Sequence, residues 1–490
     1  MAPTDQHPAV SRRFFLGTSL YSLTIPALSG TGLFGVSACH AEIPKERALP
    51  SSDTPDDHRM LQSMFDKGGT IILDRTYSIT DTLYLSGKTH VRGTNNARIV
   101  WIGPANRSII RDTSTRTPSI HNRNITLENF EIDGGDLVTG GTDQFAIEFY
   151  RTGNVILRRL VIHGVGGSGV RWGNSYLDTT DILVENCTIF GCRVGDALQG
   201  SGRRIMLRDN VIGTSSSKSN FGDTGIALLM DFDRTTNPEI LYSSQVQIVG
   251  NHIQGNYRDT GFTGVGGKAQ TGIACGPFST NFPSSIKIEN NRITGCYVNI
   301  WLSSMKDVTI SENFLGRHYS NLTGNIRLDN ISDAEILYNK ISTIYPSNNS
   351  DTCAILIQSR RIVHGNSIFD GDVKNITIAE NIIYGSNSSG IRIIFGEKNI
   401  YPQNISRISD IKITGNSFFG ISNPVSLNPV TGETSKTFIG SIISNNISDK
   451  RTTTFISILG KKSQYSEIII QNNQVPDHAI LKSGTGTNIE

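Results

Sequence analysis

The sequence predicts an all-β chain wound as a parallel β-helix, a solenoid closed at its start by a short capping helix. Three observations predict it. First, one asparagine recurs in a strand–turn–strand pattern at Asn210, Asn251, Asn291, Asn313, Asn339, Asn381, Asn416, Asn446 and Asn473. The steps range from 22 to 42 residues, as expected for a coil of constant circumference carrying loop insertions. Second, another column lies further round each coil, with Val170-Arg171-Trp172, Ile226-Ala227-Leu228, Ile300-Trp301-Leu302 and Ile326-Arg327-Leu328 among its members. Strand alternation turns the outer two of each triplet inward and the middle one outward. Third, only 18% of residues are charged while 37% are hydrophobic and Gly counts 49, a composition of long cores and uncharged turns. A propeller or sandwich needs antiparallel strands at even spacing and gives the asparagines no role. In a stacked coil, a buried asparagine satisfies backbone groups and its neighbours' amides.

In chain order, residues 1–38 read as an export signal. Ser11-Arg12-Arg13-Phe14-Phe15-Leu16-Gly17 precedes a modest apolar stretch containing Pro26, which resembles a twin-arginine leader rather than a membrane span. The expected location is therefore periplasmic or extracellular. Val36-Ser37-Ala38-Cys39 also resembles a lipoprotein cleavage box, so Cys39 could carry a lipid tether, and ordinary cleavage fits equally. Residues 39–58 read as a polar linker, and 59–123 as a cap with first strands. The cap is an amphipathic helix from Asp57, with Met60, Leu61, Met64 and Phe65 on one face. The β-helix proper is expected over 124–475, with a tail at 476–490. Five cysteines follow Cys39, too few for a disulfide framework and odd in number. A formal charge of +2 argues against a nucleic-acid partner.

Asp56-Asp57, a helix, Gly68-Gly69-Thr70-Ile71-Ile72-Leu73 and then asparagine-rich coils resemble the pectate-lyase-like superfamily. The resemblance implies a right-handed β-helix. It spans lyases, glycoside hydrolases, uronate epimerases and phage tailspikes, so it does not choose a reaction. Within it, polygalacturonases carry an Arg-Ile-Lys; Asn325-Ile326-Arg327-Leu328-Asp329 is similar to it, with Asp where Lys would stand.

Outward side chains of successive coils form a flat groove suited to an extended sugar chain. Long insertions at its edge are where a site is expected. Two consecutive long ones flank Asn251 and bring Asp223, Asp231, Asp233, Arg258 and Lys268, while the coil before brings Asp196. Asp196, Asp223, Asp231 and Asp233 are the candidate catalytic acid and base for glycoside hydrolysis. Asx turns are an alternative role for all four, and calcium ligation another for Asp231 and Asp233. Arg171, Arg258, Lys268, Arg327 and Arg392 are the candidate contacts to substrate, admitting an acidic glycan, and Trp301 is the candidate stacking platform. The first expectation is a polysaccharide hydrolase needing no cofactor. The second is a lyase or C5-epimerase of uronate polymers, with Ca2+ and a base such as His163 or His252. The third is a glycan-binding scaffold without catalysis.

Overall fold

The computed structural model describes residues 56–117, 119–136, 144–173, 179–213, 221–228, 244–255, 270–276, 283–316, 324–343, 353–359, 362–364, 367–369, 372–385, 389–395, 407–429, 437–458, 465–477 and 479–483. The leader, Cys39, Asp231, Asp233, Arg258 and Lys268 lie outside these residues.

Each coil contributes up to three short strands, and three parallel faces run along the molecule. The first face includes Thr152–Arg158, Thr180–Glu185, Arg203–Arg208 and Ser244–Val249. The second holds thirteen strands, among them Val161–His163, His252–Gln254 and Ile382–Gly385. The third includes Val170–Trp172, Leu198–Gly200, Thr224–Leu228 and Thr271–Cys275. Two long strands, Val298–Ser311 and Gly324–Leu337, run round the corner from third face to first and join those faces into one 26-stranded sheet. Among the described residues the one antiparallel pair is the hairpin Ile362–His364 with Ser367–Phe369.

Aliphatic side chains stack in register inside the tube. On the third face Ile147, Val170, Leu198, Ile226, Ile273, Ile300, Ile326 and Ile355 follow one another, all fully buried. Each such side chain contributes about 1.5–3 kcal/mol relative to exposure. At the corner between first and second faces the backbone turns through a left-handed residue, such as Asp209, Asn290 or Tyr338. The next residue is the buried asparagine. Asn210, Asn251, Asn291, Asn313, Asn339, Asn381, Asn416, Asn446 and Asn473 form an unbroken ladder, each Nδ2 donating to the next Oδ1 at 2.9–3.0 Å. Each also donates to a strand carbonyl, as Asn313 does to Ile288 at 2.8 Å.

The coils start at Gly69, earlier than residue 124, and the strand Ile480–Ser483 still pairs with Thr454–Ile458. Below Asn210 the ladder position is occupied by Ala97, Phe130, Leu160 and Cys187, all buried. The cap helix is His58–Lys67, with Leu61 and Phe65 buried in the core. Met60, expected on that face, is exposed. The helix covers the edge of the first coil: the Gln62 side chain accepts from Tyr84 N (2.8 Å) and donates to Tyr84 O (3.1 Å). A strand edge that would otherwise invite pairing is thereby satisfied. All five described cysteines are free and buried. No helix among the described residues is long and apolar enough to cross a membrane.

A second column of tight packing leads into the third face. A Cβ on Gly225 would lie 2.7 Å from Gly272 O, and one on Gly272 would lie 2.5 Å from Asn299 O. We expect Gly272→Ala to cost about 1–3 kcal/mol by overpacking. Equilibrium denaturation checks this, and an unshifted midpoint would contradict the packing at this corner.

Candidate functional site

The third face carries one continuous outward column. Glu148, Arg171, Gln199, Ala227, Ala274, Trp301, Arg327, Leu356, Arg392 and Ser426 occupy successive rungs. Arg171, Trp301, Arg327 and Arg392 thus share a column, as expected. Rungs about 4.8 Å apart place Gln199 and Trp301 roughly 14 Å from one another, with two alanines between.

Below the alanines the floor is polar. Glu148 is 1% exposed and accepts from Ser108 Oγ at 3.1 Å. Arg111 Nε lies 2.6 Å from its Oε2, and Arg171 Nη1 lies 3.9 Å from its Oε1. Burial alone would lower the Arg111 pKa, but Glu148, by its charge and its hydrogen bond, together with Tyr150 and Tyr84 outweighs it and holds the guanidinium above its ordinary value. The Arg171 guanidinium also lies over the Phe145 ring at 5.0 Å.

Above the alanines a second cluster forms around Asp329, which is fully buried. It accepts from Trp301 Nε1 (2.9 Å), Arg327 Nε (3.1 Å) and Gln358 Nε2 (2.6 Å). Arg327 covers the Trp301 ring at 4.7 Å. Trp301 is only 8% exposed. The expectation of an open indole for sugar stacking is therefore corrected: Trp301 projects outward, but the next coil's guanidinium lies over it.

Asp196 and Asp223 meet at the corner where the chain enters the third face beside Gln199 and Ala227. Asp223 N donates to Gly195 O at 3.1 Å, and Ala197 N donates to Thr224 O at 2.9 Å. The two aspartates therefore sit on neighbouring coils, offset by one position in register, with Cα atoms about 6 Å apart by strand geometry. Asp196 is 4% exposed, and its N–H donates to Ser168 Oγ at 3.1 Å. Ser168 Oγ lies 3.4 Å from Gln199 Oε1, which ties the corner to the groove. Burial, and next the Asp196 charge, push the Cys192 thiol above its usual pKa. Asp223 is half-buried.

His163 and His252 stand on the second face, not the third. Burial first, and then Arg292, depress the His252 pKa. His163 lies 2.8 Å from Glu131 and 3.8 Å from Asp133. Those three residues bring ligand atoms within 4.8 Å of one another. Arg98 Nη2 lies 2.6 Å from Glu131 and 2.7 Å from Asp133, so one guanidinium already bridges both carboxylates.

Sequence reasoning missed Glu148, Arg111 and Gln358. The signal for Glu148 was present, because Ile147-Glu148-Phe149 repeats the in–out–in triplet one coil before Val170.

A family model for a right-handed β-helix region matches residues 119–315. No curated protein matches the chain. Among solved structures, the A-module of mannuronan C-5 epimerase AlgE6 from Azotobacter vinelandii is 14% identical with a TM-score of 0.54, covering 79% of this chain and 95% of that one. The AlgE4 A-module of the same organism is 15% identical with a TM-score of 0.53, over 78% and 96%. The tailspike protein of E. coli bacteriophage HK620, in a mutant form bound to a hexasaccharide, is 13% identical with a TM-score of 0.55, over 85% and 76%. The stacked faces, the asparagine ladder and these likenesses together make the chain a right-handed parallel β-helix.

Proposed function

We propose that the protein is an exported enzyme that cleaves glycosidic bonds of a polysaccharide lying along the third face. The observation that carries this reading is the meeting of Asp196 and Asp223 at one corner of that face. Two carboxyl groups on neighbouring coils can flank a glycosidic bond, one donating a proton to the leaving oxygen and the other acting on water or on the anomeric carbon. The half-buried Asp223 is the more accessible of the two, and Asp196 is held by the backbone stack. Hydrolysis of this kind needs no cofactor. The tailspike likeness supports the reading, because that structure is a complex with a hexasaccharide.

A second reading, a lyase or C5-epimerase of uronate polymers, is favoured by Arg171 and Arg327 in the groove and by the epimerase A-modules among similar folds. Calcium would assist such chemistry by neutralising the sugar carboxylate. Incubation with neutral and uronate polysaccharides separates the two. Hydrolysis yields new reducing ends without ultraviolet absorbance, elimination adds an absorbing double bond, and epimerisation leaves chain length unchanged. Reducing ends without absorbance are the expected result. Absorbance, or unchanged length with altered uronate configuration, would replace the hydrolase by the second reading.

A further inference from the structure

We propose that the groove of the third face selects an uncharged glycan over a polyuronate; this rests on the reading of that face as the glycan site. Two of the arginines that first suggest an acidic substrate, Arg171 and Arg327, are already committed, and so is Arg111 beside them. Arg111 and Arg171 both approach Glu148, and Arg327 is held by Asp329. Both carboxylates belong to the floor itself, with Glu148 1% and Asp329 0% exposed. They are not mobile surface acids that an incoming anion could push aside.

From Arg111 to Asp329, the described outward and corner positions carry three guanidiniums, of Arg111, Arg171 and Arg327, against four carboxylates, of Glu148, Asp196, Asp223 and Asp329. The centre of the groove is therefore not a cationic trough. A polymer with a carboxylate on every sugar would set like charges beside the Asp196–Asp223 corner, and like-charge juxtaposition rejects a partner. An uncharged glycan meets no such penalty. The gap between Gln199 and Trp301 offers it the partly exposed Ala274, beside an Ala227 only 1% exposed, and polar edges.

Affinity electrophoresis of the full chain in gels containing a neutral polysaccharide (xylan, galactan or dextran) or a polyuronate (polygalacturonate or alginate) tests this. At least one neutral polymer is expected to retard the protein about tenfold more strongly than either polyuronate. That retardation should hardly change between roughly 20 and 300 mM salt, because it does not rest on ion pairs. Ala274→Lys adds a cation to the partly exposed middle of the column without touching a buried pair. It should raise polyuronate retention at low salt, and raised salt should abolish the gain. Tighter wild-type binding to a polyuronate would overturn this inference and leave the groove reading intact. Polyuronate retention unaltered by Ala274→Lys would also overturn it, since charge would then not be the selector. Retardation by neither class would overturn the groove reading itself.

Discussion

Replacing Asn313 by leucine is expected to lower the unfolding free energy by on the order of 4 kcal/mol. The Asn313 side chain closes four hydrogen bonds. Its Oδ1 accepts from Asn291 N at 2.9 Å and Asn291 Nδ2 at 3.0 Å. Its Nδ2 donates to Ile288 O at 2.8 Å and Asn339 Oδ1 at 2.9 Å. Leucine keeps the branching and heavy-atom count but leaves those buried partners unpaired, and water cannot reach a position 1% exposed. Asn473, the last described rung, likewise makes four bonds, with Asn446, Ile443 and Gln471, but it is partly exposed, so water can take over their partners. Asn473→Leu should therefore cost only about 1 kcal/mol. Denaturant unfolding of the two variants side by side reads the contrast. Equal, small losses would mean that the ladder does not bear on stability in this register.

Asp223→Asn is expected to reduce glycan cleavage by at least about a hundredfold, the usual contribution of a positioned proton-transfer group, while leaving the melting temperature unchanged. The amide keeps the side chain's shape, and the backbone bonds that hold the corner, from Asp223 N to Gly195 O and from Thr271 N to Asp223 O, do not involve the carboxylate. Asp196→Asn should also abolish turnover, but with a measurable loss of stability, because Asp196 is buried beneath the neighbouring coil. The pair of outcomes separates a catalytic acid from a structural one. Turnover within about twofold of wild type in Asp223→Asn would remove that residue from the mechanism.

The solenoid was legible in the sequence because stacking forces like onto like. All nine asparagines are rungs of one ladder, and the in–out–in triplets of the third face hold from Val170 to Ile391. Aligning Asp196-Ala197-Leu198-Gln199 on that column is one residue out, however, since Leu198 pairs with Val170 and points inward. The beginning was harder to read, since the early rungs at Phe130, Leu160 and Cys187 are apolar and share no residue type to align on. Side-chain cover was not legible either. Trp301 is buried by Arg327 and bonded by Asp329, residues of the following coil, whose position over it no spacing within the Trp301 coil reveals. For the same reason His163 and His252, close to the candidate carboxylates in sequence, fall on the second face. A residue's face depends on its phase within the coil, and insertions reset the apparent spacing without changing the phase.

The most direct test is a crystal structure of the Asp223→Asn variant with an oligosaccharide soaked or co-crystallised. The sugars should run along the third face across Ala227 and Ala274, between Gln199 and Trp301, with one glycosidic oxygen within about 3 Å of the side chain at 196 or 223. A chain of sugars seated on the first or second face, with those two residues untouched, would contradict the account.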